Sequence, residues 1–169
     1  MKEWMILFRA PLVRANREGR KEVTRRLSPK WATAKPGDVI VVRETWRAPV
    51  KWDSRKPSEV YGDEDIWYEA DGQAPAKFGK LRPSIFLPRW ASRDIYPIVS
   101  VRQERLQDIT EDEARREGIE PWPSDDPSRI AWTAVDSYRV LWDQINGSDA
   151  PWTNNPLVFR VEYANPVKP

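Results

Sequence analysis

Pro36-Gly37-Asp38-Val39-Ile40-Val41-Val42-Arg43-Glu44-Thr45-Trp46 is the stretch that decides the fold. A turn signal of Pro, Gly and Asp opens it, and the β-branched run over 39–42 reads as a buried strand. No helical pattern succeeds it. Residues 47–65 carry Pro49, Pro57, Gly62 and many charges with no apolar period, and the next strand comes at Ile66-Trp67-Tyr68-Glu69-Ala70, ended by Asp71-Gly72. Strands in succession without full-length helices between them argue against a doubly wound fold. They predict an α+β domain with a mixed or antiparallel sheet curled into a small barrel.

Upstream, Glu3-Trp4-Met5-Ile6-Leu7-Phe8 is β-prone and apolar on both faces, as a strand near the centre of a sheet would be. Pro11 suits a first helical position and Gly19 the position past a helix end, so Leu12, Val13 and Ala15 fall in one short helix. Then comes Gly19-Arg20-Lys21-Glu22-Val23-Thr24-Arg25-Arg26, with four basic side chains, one carboxylate and one hydroxyl. It hangs off the C-terminal end of the helix, where the dipole favours cations. Such a charge run faces either water or an anionic partner.

Downstream, residues 73–93 are irregular and end in Arg82-Pro83-Ser84-Ile85-Phe86-Leu87-Pro88-Arg89-Trp90-Ala91-Ser92-Arg93. This segment is either a Pro-punctuated connector with Trp90 in the core or a nucleic-acid contact loop. Residues 95–106 predict a long strand in which Pro97 marks a sheet edge or a bulge. Thr110-Glu111-Asp112-Glu113 has a capping-box pattern, and Gly118 ends the acidic helix it opens. Residues 119–134, with Pro121, Pro123 and Pro127, read as an insertion loop. A helix over about 137–145 places Val140, Leu141 and Ile145 on one face and stops at Asn146-Gly147. Leu157, Phe159, Val161 and Tyr163 alternate along a last strand with one wet face. The total is five to six strands and two to three short helices in a single domain over 1–169, with long loops at about 47–65 and 119–134.

Composition narrows the chemistry. With 40% hydrophobic and 32% charged residues over 169 positions, the chain reads as a globular, cytoplasmic protein, and no apolar run approaches the length of a membrane span. It has no Cys and no His, which removes disulfides, thiolate nucleophiles, Ser-His-Asp triads, Cys-based zinc or iron-sulfur sites and imidazole metal ligands. No cofactor or metal is expected, and any general base must be Lys, Asp, Glu or Tyr. Charge is uneven: residues 1–56 hold 15 Lys/Arg and 6 Asp/Glu (+9), residues 57–169 hold 13 and 20 (−7). This asymmetry implies a positive face for phosphates, and among the ten Trp most serve the core while one or two at a cleft could stack on a base.

The order of Pro11, Gly19-Arg20-Lys21, Thr24-Arg25-Arg26, Pro36-Gly37-Asp38 and Val42-Arg43-Glu44-Thr45-Trp46 resembles the ASCH domain of the PUA-like superfamily. It is most similar to the longer phage- and prophage-associated members. The blocks 83–93, 104–109, 114–119, Leu141-Trp142-Asp143 and Trp152 with Asn155-Pro156 resemble that subgroup as well, so the likeness runs along nearly the whole chain. It implies a small β-barrel with helices at its mouth and a cleft for a nucleobase or a nucleic-acid strand. Some compact ASCH proteins are amidohydrolases that remove an acyl group from the exocyclic amine of cytidine with a Lys, a Thr and a Glu; others have been linked to RNA binding or cleavage. Carried over, these are Lys21, Thr24 and Glu117. The family usually has Thr after the Lys, where this chain has Glu22, and a carboxylate there raises the pKa of Lys21 unless it points away.

Chemistry sets two conditions. A Thr hydroxyl needs a base, and Lys21 must lose about 2 to 3 units from its reference near 10.4 through burial or the neighbouring Arg20, Arg25 and Arg26. Residues 21 and 24 share a face on a turn but oppose each other on a flat strand. Three functions fit: an amidohydrolase acting on acylated cytidine with Thr24 as nucleophile, Lys21 as base and Glu117 as acid; a non-catalytic RNA or DNA reader; and a phage accessory protein that binds another protein through its Trp-rich loops. For the reader, the ligand-binding candidates are Arg20, Arg25, Arg26, Arg43, Trp46, Arg89, Trp90 and Arg93. The partner in the first two cases is a modified nucleoside or a single-stranded nucleic acid.

Overall fold

The computed structural model describes residues 1–121 and 132–164. In chain order the strands and α-helices are β1 (Glu3–Leu7), α1 (Ala10–Arg17), β2 (Val23–Arg26), β3 (Val39–Arg43), β4 (Trp46–Arg47), β5 (Trp67–Tyr68), β6 (Ile95–Arg105), α2 (Glu111–Arg116), α3 (Ala134–Asn146) and β7 (Leu157–Tyr163). The fold is α+β. A five-stranded mixed sheet runs β1-β3-β6-β7-β2, with β1 parallel to β3 and the other pairs antiparallel; β4 and β5 form a separate two-stranded ribbon. Its outer strands β1 and β2 are not paired with each other, so the expected barrel is not closed by strand pairing. No helix among the described residues is long and apolar enough to cross a membrane.

The run 39–42 is the inner strand its composition predicts: β3 lies between β1 and β6 with Ile40, Val41 and Val42 buried. The turn before it does structural work, since the Asp38 carboxylate accepts the Lys2 amide at 2.8 Å and the Trp4 indole at 3.1 Å. β1 itself is an outer strand, not a central one. Only Trp4 and Ile6 are buried, while Met5 and Leu7 face a surface groove, which is why its sequence is apolar on both sides. Pro97 does mark a bulge. β6 pairs with β3 over residues 95–97, shifts register between Ile98 and Ser100, and pairs with β7 from there on. The missing Pro amide thus falls where the strand changes partners, inside the sheet.

Three expectations fail. β7 has no wet face: it lies between β6 and β2, and Val158 and Arg160 are as buried as Val161 and Tyr163. α3 starts three residues earlier than expected, capped by Thr133, whose hydroxyl accepts the Asp136 amide while the Asp136 carboxylate accepts the Thr133 amide. Its buried residues are Ala134, Tyr138 and Trp142, and the predicted face of Val140, Leu141 and Ile145 is left to line a cleft. The capping box of α2 is half formed. Thr110 accepts the Glu113 amide at 3.3 Å, but the Glu113 carboxylate turns to arginines instead.

Residues 47–65 and 73–93 contain short 3₁₀ turns and, with the β4–β5 ribbon, enclose a core of Trp46, Ala48, Val60, Leu87 and Ala91. The expected strand at 66–70 shrinks to Trp67–Tyr68. A second core packs Trp4, Ile6, Phe8, Val13, Trp31, Tyr96 and Tyr163 between the sheet and α1, and a third joins Leu106, Ile109, Tyr138, Trp142 and Val158 between α2, α3 and β7. The cleft lies where the last two meet. Of the insertion loop predicted over 119–134, residues 122–131 lie outside the described residues.

Candidate functional site

Two glycines bring the site together. Just past the end of α1, Gly19 has a φ of 73° that lets the chain double back so that the Arg20 and Lys21 amides both reach the Ala15 carbonyl, at 2.9 and 3.1 Å. α2 ends at Glu117 and Gly118, and Gly118 has a φ of 82°. A side chain at 118 would put its Cβ 2.7 Å from that of Ala15 and 3.0 Å from that of Lys21, so the two helix ends meet only because 118 is glycine. Their contact is an isolated antiparallel bridge between Lys21 and Glu117, extended by a bond from the Glu22 amide to the Arg116 carbonyl at 2.9 Å.

The Lys21 ammonium lies fully buried at the centre. It donates to Glu117 Oε2 at 2.7 Å, to the Glu117 carbonyl at 2.8 Å and to the Val23 carbonyl at 2.8 Å. Burial pushes its pKa down, and the Glu117 carboxylate opposes that push. Arg26 and Arg25 lower it further. The other carboxylate oxygen, Oε1, accepts Arg25 Nη1 at 3.2 Å and the Tyr138 hydroxyl at 3.4 Å. Burial and the Glu117 charge push the Tyr138 phenol well above its ordinary value, so it stays a donor. Behind this pair lies a layer of ion pairs in which Glu113, Glu104 and Glu162 alternate with Arg25, Arg116 and Arg160.

Strand pairing in β2 begins only at Val23, so 20–26 is not one flat strand. Lys21, Thr24, Arg25, Arg26 and Glu117 all line one narrow cleft of about 50 Å³, walled by Leu12, Tyr138, Leu141 and Ile145. Thr24 is buried, and among the described residues its hydroxyl makes no hydrogen bond. Glu22 points the other way. Its carboxylate accepts Arg116 Nε at 2.7 Å, so the residue that departs from the ASCH pattern belongs to the ion-pair layer.

The arginines nominated as phosphate contacts are mostly committed elsewhere. Arg20 pairs with Glu18 and, at 3.6 Å, with Glu120; Arg25 is enclosed by Glu104, Glu113 and Glu117. Arg89 chelates Glu3 at 2.7 and 2.8 Å, and Arg93 spans Glu44 and Asp71 over the ring of Tyr68. Arg43 donates to the Ile85 carbonyl at 2.9 Å. Trp46 is wholly buried beneath Arg82, and Trp90 is half exposed against Gly62. None of Arg43, Trp46, Arg89, Trp90 and Arg93 lines the cleft; Arg26 does, and it has no ion pair among the described residues. Sequence reasoning missed Tyr138, Glu113 and Arg160. The i, i+4, i+8 spacing of Ala134, Tyr138 and Trp142 carried the signal for the first.

Among the described residues, no group of three or more Asp, Glu, His or Cys side chains is placed to hold a metal ion. Compared with protein-family models, curated proteins and solved structures, the chain matches none. Fold and site together define a buried lysine–glutamate pair beside a threonine hydroxyl, at the floor of a cleft between two helix ends.

Proposed function

We propose that this chain is an ASCH-type amidohydrolase of the PUA-like class that removes an acyl group from the exocyclic amine of an acylated cytosine. The observation that carries the reading is the convergence of Lys21, Thr24 and Glu117, distant in sequence, in one buried cleft. The Lys21–Glu117 contact of 2.7 Å is a short path for one proton, and burial of the Lys21 ammonium eases the proton's departure from the lysine. With the proton on Glu117, Lys21 has a lone pair for the Thr24 hydroxyl.

The reaction then runs in two halves. Thr24 Oγ1 attacks the acyl carbonyl as its proton passes to Lys21. The carbon–nitrogen bond breaks, Glu117 protonates the departing amine, and an acyl ester remains on Thr24. The proton then passes from Lys21 back to Glu117 across their 2.7 Å contact. Water, deprotonated by Lys21, hydrolyses that ester to a carboxylate, and Glu117 returns a proton to Thr24 Oγ1 to restore the threonine. Arg25 and Tyr138 hold the Glu117 carboxyl in place throughout.

The test is release of acetate from N4-acetylcytidine by wild-type protein and by Thr24→Ala. The expected result is release by the wild type and a loss on the order of a thousandfold or more in the variant; no release by the wild type ends the reading. One observation favours a second reading, a non-catalytic nucleic-acid reader. All three Lys21 N–H donors already have acceptors, as suits a permanent structural ion pair. Strand binding that weakens steeply with salt, without acyl release, selects it.

A further inference from the structure

A second groove of about 510 Å³ adjoins the cleft, and Leu12, Arg26, Ile145 and Asn146 line both. It runs between the two outer strands of the sheet, from Met5–Phe8 on one side to 26–31 on the other, where Arg26 Nη2 reaches the Leu7 carbonyl at 3.4 Å. Its charge is one-sided. Arg9, Arg26 and Lys30 line it, and no Asp or Glu does. Among the described residues none of these three has an ion pair, in contrast to Arg20, Arg25, Arg89 and Arg93, which are all neutralised by carboxylates. The Arg26 Nε is buried without a hydrogen-bond partner, an arrangement that costs free energy. Ser28, Ser84 and Thr45 add neutral hydroxyls, while Met5, Leu7 and Phe8 give an apolar wall.

We propose that this groove binds a phosphate carried on the ribose of the nucleoside whose base enters the cleft, with Arg26 at the junction and Arg9 and Lys30 on the outer wall. A phosphate carries more charge than a carboxylate and matches the guanidinium fork. The substrate class is therefore a nucleotide, free or within a strand, and not an uncharged nucleoside. This inference rests on the base-binding part of the reading above and is independent of the catalytic step.

The experiment is calorimetric binding of cytidine, cytidine 5′-monophosphate and a short oligocytidine to the whole chain and to a double variant, Arg9→Ala with Lys30→Ala. Both side chains are exposed, so the variant keeps the wild-type melting temperature. The nucleotide should bind about tenfold or more tighter than cytidine, and the gap should close in the variant. Equal affinities, no binding of either ligand, or a gap that survives the variant overturns the proposal. An oligocytidine that outbinds the mononucleotide places the phosphate in a strand; equal binding places it on a free nucleotide. Tight nucleotide binding with no acyl release from the acetylated nucleotide leaves the phosphate site standing and removes the amidohydrolase.

Discussion

Arg160 of β7 grips Glu113 of α2 through two parallel bonds, Nε to Oε2 at 2.7 Å and Nη2 to Oε1 at 2.9 Å. Arg25 and Arg116 bind the same carboxylate, so one side chain ties α2 to both β2 and β7. Removing it strands buried guanidinium groups. Glu113→Ala should lower stability by about 3 kcal/mol, read as a fall in the urea midpoint at constant slope. A loss below about 0.5 kcal/mol would show that water replaces the carboxylate.

The same layer sets an acid limit. Hydrogen bonds from Arg160, joined by Arg25 and opposed by burial, hold the Glu113 carboxyl at about 2, against an ordinary 4.5. Burial would raise Glu162, yet Arg160 and Arg116 hold it at about 2 as well. A depressed folded-state pKa contributes stability that is complete above 4.5 and is lost as pH falls towards 2. The melting temperature should therefore be flat near neutrality and drop steeply below about pH 4.5, with a shallower drop in Glu162→Gln.

Gly118→Ala tests the meeting of the helix ends. The new methyl would lie 2.7 Å from Ala15 Cβ, on a backbone with φ of 82°. We expect a loss of about 2 to 4 kcal/mol from strain and overpacking. Acyl release should fall further than the folded fraction does, because the clash also displaces Lys21. Parallel losses in both would confine the glycine's role to stability.

Glu22 is next to Lys21 in sequence, yet its carboxylate turns to the ion-pair layer. Its carboxylate is bound to Arg116, which also holds Glu113 and Glu162. Glu22→Gln should cost about 1 kcal/mol or less and leave the pH profile of acyl release where it is. A profile displaced towards lower pH would mean that the Glu22 charge reaches Lys21 after all.

Local signals were legible and long-range partners were not. The bracket of Pro11 and Gly19 gave α1, Thr110 and Gly118 gave the ends of α2, and the run 39–42 gave an inner strand, because each is decided within a few residues. The pairing of Lys21 with Glu117 entered only through resemblance, since no local pattern says that two helix ends will touch. Charge was the least legible quantity. Arg89 and Arg93 look like phosphate contacts until Glu3, Glu44 and Asp71 are found beside them, while Arg9 and Lys30 stand out only once the two outer strands are seen to flank one groove. Arg160 broke the alternation of β7 for the same reason: its counter-charge lies on a helix that the strand's own sequence does not announce.

The sheet order has a consequence for synthesis. In the main sheet β2 has a single neighbour, β7, and β7 is the last strand of the sheet to leave the ribosome. A nascent chain stalled before residue 157 can pair β1, β3 and β6, yet it leaves β2, with Thr24, without its strand partner. The wall that carries Thr24 takes its place only once residues 157–163 are present, so a chain that lacks them cannot hold the finished cleft.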